Sequence, residues 1–255
     1  MSQPFRGTIN VDIRDSVPDW APFEPPKAPD GPPSVVYIVL DDVGFSAMSC
    51  YGGPILTPRP QLASPRDRYT YFPDTAEVPE AQAVNIRNRS FTIGALVDIP
   101  APGAEGVLFA HGSRFGGHAL YVKDNRLHYV NNFVGMFEQK IDSTQDVPTG
   151  QNLILSASFE KDGEDPPHVS TGILSLYHGD KKVGEGRIKT QPGQFMFAGE
   201  GLCVGRDSGE AVTDDYPNGS PHRFTGGTIK RVGVDVSGDP YVDLEREAQA
   251  MLMRE

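Results

Sequence analysis

ALYVKDNRLHYV, residues 119–130, is two alternating runs closed by a turn. Lys123, Asp124 and Asn125 sit between them, and aspartate and asparagine tolerate the left-handed backbone that a tight hairpin turn demands. The segment reads as a β-hairpin. HGDKKVGEG repeats the device around Gly179 and Asp180. Strand-like runs lie on both sides: SFTIGALVDI (Ser90 to Ile99), GVLFAHG (Gly106 to Gly112), NLILSASFE (Asn152 to Glu160), GILSLYHGDKKVGEGRI (Gly172 to Ile188) and GLCVGRD (Gly201 to Asp207). TGGTIKRVGVDV (Thr225 to Val236) supplies a closing strand through Ile229, Val232, Val234 and Val236. With 28 Gly and 23 Pro punctuating such runs, and no long helical pattern before the tail, the chain is expected to be mainly β, a jelly-roll β-sandwich. In the tail, Leu244, Ala248, Met251 and Leu252 form one stripe, which predicts a short amphipathic C-terminal helix.

Composition narrows the partners. A formal net charge of -11 leaves no basic stripe for nucleic acid or an anionic membrane surface, so neither is expected as a partner. Two cysteines of unlike context make no disulfide framework. No run is apolar enough to span a bilayer and no secretory leader is visible, so a cytoplasmic location is expected. Residues 1–68 are read as an N-terminal arm, a strand and a proline-rich linker, and residues 69–255 as the sandwich domain. Met1 to Pro33 is expected to be an extended arm anchored by Trp20 and Phe23, and Pro54 to Pro73 a linker.

Within the first part, VVYIVLDDVGFSAMSCYGG (residues 35–53) runs a β-branched strand, Val35 to Leu40, into the carboxylates Asp41 and Asp42. This segment, with Thr57 and Pro58 after it, resembles the N-terminal strand of the sulfatases, arylsulfatases in particular. TAEVPEAQAVNIRNRSFTI, RFGGHALYV, NFVGMFEQ, GRIKTQPG and GGTIKRVGVDVSG resemble the C-terminal part of bacterial arylsulfatases. The resemblance implies that Asp41 and Asp42 hold Ca2+ or Mg2+, and that aryl sulfate esters are the substrates of intact relatives. It also implies a Cys-x-Pro-x-Arg motif, whose cysteine becomes formylglycine. Neither cysteine fits: Cys50 precedes Tyr51, Gly52, Gly53 and Pro54, and Cys203 sits in CVGR. The chain therefore resembles both ends of an arylsulfatase with the catalytic middle and the formylglycine nucleophile missing, and no turnover is expected. The order of motifs in the second part resembles laminin-G-like, concanavalin-like sandwiches.

Such sandwiches can hold calcium at the rim, which makes Asp207, Asp214 and Asp215 a second candidate metal site, although a solvated loop explains the same residues. His111, His118, His128, His168, His178 and His222 adjoin no nucleophile and are expected as surface or cross-strand residues. Phe115, Tyr129, Phe133, Phe137, Phe195 and Phe197 make either a saccharide platform or, as alternating aromatics in a sandwich usually do, core. Asn88-Arg89-Ser90 and Asn218-Gly219-Ser220 match the glycosylation acceptor pattern. Two functions follow as expectations: an inactive arylsulfatase-family chain, or a module that binds a carbohydrate or protein partner, with calcium as a candidate cofactor. Exposure of the apolar run Val35 to Leu40 would add self-association.

Overall fold

The computed structural model describes residues 6–19, 66–80, 82–192 and 201–238. The chain divides into two compact units, Met1–Gly44 and Phe45–Glu255. In the first unit, residues 6–19 belong to the stretch expected to be extended, yet they close on themselves. Thr8 and Val17 exchange both backbone hydrogen bonds at 2.8 Å, around the single 3-10 turn Ile13–Asp15. Short polar side chains drive the closure by bonding to nearby backbone: the Arg14 N–H donates to Asp12 at 2.9 Å and the Asn10 N–H to Ser16 at 3.0 Å. Val35 to Leu40, Asp41, Asp42, Cys50, Phe195, Phe197 and the expected C-terminal helix lie outside the described residues.

The described part of the second unit is built of antiparallel strands. They are β1 (Arg68–Tyr71), β2 (Ser90–Ile99), β3 (Gly106–Ser113), β4 (Gly116–Lys123), β5 (Arg126–Phe133), β6 (Phe137–Asp146), β7 (Gly150–Glu164), β8 (Ser170–His178), β9 (Lys181–Thr190), β10 (Leu202–Val204) and β11 (Thr228–Ser237). One sheet has the order β1-β11-β2-β7-β8-β9 and the other β10-β3-β4-β5-β6. The two inner faces share a core that draws on both, from Phe91, Ile93 and Val97 on β2 to Leu120 and Val122 on β4. This is a jelly-roll β-sandwich of the concanavalin-like kind, as the sequence pattern predicts. Among the described residues no helix is long and apolar enough to cross a membrane.

β2 shows the cause most plainly. Its side chains alternate strictly, with Phe91, Ile93, Ala95, Val97 and Ile99 buried and the intervening residues half-buried, because successive Cβ atoms point to opposite faces of a strand. The hairpin between β4 and β5 is tighter than the sequence indicates. Lys123 pairs with Arg126, so the turn is Asp124 and Asn125 alone, both left-handed at φ 48° and 61°.

β3 and β4 depart from alternation: seven of the eight β4 residues and all of β3 are buried. The reason is a second apolar cluster on the outer face of the five-stranded sheet. There Val107, Ala110, Ala119, Tyr121 and Val130 are covered by Val212 and Tyr216 from the loop that follows β10. One side of the sandwich is closed by side chains bridging β6 and β9. The Gln139 side-chain amide both donates to the Lys189 carbonyl and accepts from the Lys189 N–H, each at 2.8 Å, and the Thr144 hydroxyl donates to the Val183 carbonyl at 2.9 Å.

Candidate functional site

The interior of this sandwich is apolar except toward one end. There the inward positions of β3, β4 and β5 become His111, His118 and Asn131, joined by Ser113, Thr190 and Gln191, all buried. His111 and His118 are a cross-strand pair with ring centroids 5.8 Å apart, and His118 also meets Phe91, Phe109 and Tyr129 at 5.9, 5.3 and 6.0 Å. Burial, with Arg87 nearby, depresses the His111 pKa to about 3, and burial, with His111 nearby, takes His118 well below its ordinary value. Both rings are neutral near pH 7. Burial also raises the Tyr129 hydroxyl above its usual range.

Above this end stand two neighbouring hairpin tips. The β3–β4 turn carries Arg114 and Phe115, and the β5–β6 turn carries Val134, Gly135 and Met136. Phe133 and Phe137 stack across the second tip, with centroids 5.1 Å apart and planes 10° from parallel. Phe115, Val134, Met136 and Phe137 are all exposed, Met136 to 78%. Val134 lies at φ 53°, a conformation that a β-branched residue rarely adopts. Its backbone N–H donates to Gln191 at 3.0 Å, the Gly135 N–H to Asn132 at 2.9 Å, and the Met136 N–H to the Phe133 carbonyl at 2.9 Å. Three bonds thus hold the tip against its local preference, and such over-determined strain clusters at ligand sites. The structure places Phe115, Phe133 and Phe137 together here, whereas Tyr129 is core.

The acidic loop has a different occupation. The Asp207 carboxylate is buried and accepts from the Val212 N–H at 3.0 Å, bracing its own loop. Asp215 accepts from the Tyr121 hydroxyl at 2.6 Å and from Lys123 at 2.8 Å, with Lys140 at 3.7 Å. Burial raises the Asp215 pKa, but the bonds from Lys123 and Tyr121 outweigh it and leave the value below ordinary. The Tyr121 hydroxyl is pushed up by burial and by Asp215. Thr213 donates to Glu138 at 2.9 Å, and Asn132 donates to the Val212 carbonyl at 2.9 Å. Asp214 is exposed. Among the described residues no three His, Cys, Asp or Glu side chains gather as a metal site, and of the second candidate set, Asp207, Asp214 and Asp215, two carboxylates are taken up by partners within the protein. These two fasten the loop over β4.

The remaining histidines take structural places. His128 stacks on Tyr121 at 5.1 Å with its Nδ1 2.7 Å from Asp142, and His222 packs on Tyr216 at 4.9 Å. The His168 N–H donates to Glu164 at 2.8 Å, and burial lowers the pKa of the half-buried His178. The Cys203 thiol is buried and raised by that burial, a poor nucleophile. Asn88, Arg89 and Ser90, expected only as a glycosylation pattern, line a cleft of ≈ 360 Å³ with Lys161, Ser237 and Gly238. A second cleft of ≈ 590 Å³ lies beyond the opposite end of β2, around Asp98, whose carboxylate is already engaged by Lys230 at 2.9 Å and by the Asn152 N–H at 2.7 Å.

No protein-family model matches the chain. No curated protein matches it either. Among solved structures it is similar to the carbohydrate-binding module CBM40 of the Ruminococcus gnavus IT-sialidase bound to alpha2,3 sialyllactose, at 14% identity and TM-score 0.39, over 71% of this chain and 96% of that one. It is also similar to the Caenorhabditis elegans galectin LEC-6 (12% identity, TM-score 0.36, 69% of this chain and 99% of that one). A third is the mouse laminin alpha1 chain, domains LG4-5 (11% identity, TM-score 0.36, 69% of this chain and 40% of that one). Likenesses this distant carry no functional weight. The class of the protein is set by its own strand order: a jelly-roll sandwich with a polar interior end and an aromatic rim.

Proposed function

We propose that the protein is a non-catalytic binding module that takes a saccharide on the rim formed by the two hairpin tips. The observation that supports this reading is the gathering of Phe115, Val134, Met136 and Phe137, exposed, on adjacent turns, one of them strained at Val134. A contiguous exposed apolar patch marks an interaction surface. The C–H face of a pyranose is apolar and its edge is rich in hydroxyls, so an aromatic face flanked by polar groups suits it. Arg114, paired with Glu210 at 2.7 Å, provides such a flank. The sulfatase reading has less to stand on, because neither cysteine sits in a Cys-x-Pro-x-Arg motif and the Cys203 thiol is buried.

Calorimetry against a panel of neutral and acidic oligosaccharides tests the proposal. Binding by the native chain should weaken about tenfold or more in Phe137→Ala and Phe115→Ala, since loss of an aromatic anchor costs 1.4 kcal/mol or more. Affinity unchanged in both variants would refute it, and hydrolysis of p-nitrophenyl sulfate above a buffer blank would show a catalytic activity that this reading excludes.

A further inference from the structure

The cleft beside Asn88 holds a buried cation that the fold leaves unanswered. Arg89 is only 9% exposed. Its Nη1 makes one long hydrogen bond, 3.4 Å to the Asn85 carbonyl, and its Nε has no partner. No carboxylate forms an ion pair with it among the described residues. The neighbouring Lys161 is treated otherwise, with its ammonium 2.7 Å from both Glu164 and the Asn88 side chain. On the same sheet two well-exposed arginines have carboxylate partners: Arg68 grips Asp235 with two bonds, and Arg187 grips Asp162 with two. A buried charge is costly unless paired, and a guanidinium offers a planar fork of donors matched to two oxygens of one anion. The cleft is lined by Ser90 at the start of β2 and by Ser237, its cross-strand partner at the end of β11, together with Asn88 and Arg89.

We propose that this cleft binds an oxyanion, the carboxylate or sulfate group of a ligand, on the Arg89 guanidinium, with Asn88, Ser90 and Ser237 as its polar walls. The site is distinct from the aromatic rim and does not depend on it. The net charge of -11 works against general anion uptake, so binding here must be local.

Sodium sulfate and sodium glucuronate, titrated against sodium chloride at matched ionic strength and against glucose, test the proposal by thermal unfolding and calorimetry. Either or both oxyanions should raise Tm in proportion to occupancy, while chloride and glucose do not. The stronger of the two identifies a sulfate or a carboxylate as the natural group. Arg89→Met should weaken binding about tenfold or more without lowering the ligand-free Tm, because it removes an unpaired cation. Ser237→Asp should raise the ligand-free Tm and abolish the oxyanion response by setting a carboxylate in the cleft. Phe137→Ala should leave that response intact. A chloride response equal to that of the oxyanions, or an oxyanion response that survives in Arg89→Met or in Ser237→Asp, would overturn the proposal. A loss of folding in Arg89→Met together with a native response in Ser237→Asp would assign Arg89 a structural role instead.

Discussion

A few side chains carry more of this molecule than their number implies, beginning with the two imidazoles at the polar end. His111 and His118 are neutral in the fold because burial lowers their pKa values, to about 3 for His111. The unfolded chain takes up protons first, near pH 6.5, so stability declines as pH falls below that value and continues to decline until the folded rings titrate. Each histidine contributes about 1.4 kcal/mol per pH unit in that window. The stability lost between pH 7 and pH 5 should be smaller by about 1–2 kcal/mol in His118→Phe, which suits its aromatic neighbours, than in the native chain, read by denaturant unfolding. Equal pH dependence in both would show that His118 is not buried neutral. Asp215 is the other such residue. Asp215→Ala should cost about 1–3 kcal/mol through the loss of the Tyr121 and Lys123 bonds, and should speed amide exchange between residues 205 and 222. Neither role was legible from sequence, since Tyr121 and Asp215 are 94 residues apart. The turn at Asp124 and Asn125 was legible because its signal is entirely local.

At the scale of the strand, the sequence correctly marks where β2, β4, β5 and β11 run, because alternation and turn chemistry act within a few residues. It does not show that β3 and β4 are covered on both faces, since the cover is a loop that reads only as polar and glycine-rich. Nor does it show that Arg89 is buried, because the surrounding NIRNRS has no apolar period to announce it. The sequence places the turn at Gly179 and Asp180 but does not show why Gly184 and Gly186 stand inside β9, opposite Leu176 and Leu174. A methyl group on Gly184 would stand 2.5 Å from the Asp142 carbonyl oxygen of β6. Glycine here lets the edges of the two sheets come together. Gly184→Ala should therefore destabilise the fold by about 1–3 kcal/mol, read from the urea midpoint, with a cost near zero indicating that β6 and β9 can separate freely.

For the molecule as a whole, the sandwich was readable and the chemistry largely was not. The sandwich expected from the strand pattern is present, whereas nothing found supports the arylsulfatase resemblance, and its candidate metal ligands Asp41 and Asp42 lie outside the described residues. The rim and the cleft each assemble from distant places: Phe115 and Phe137 from two hairpins, and Arg89 and Ser237 from the loop before β2 and the last strand. Only the closed fold brings each pair together.

The bridging of β6 to β9 has one further consequence. Open sheet margins invite strands from other molecules, and three of the four described margins here are short or occupied: β1 has four residues, β10 has three, and the Gln139 amide, reaching from β6, fills on β9 the hydrogen-bonding place that a foreign backbone would need. The seam that closes one flank of the protein thus also blocks part of the β9 margin against the edge-to-edge stacking that builds fibrils.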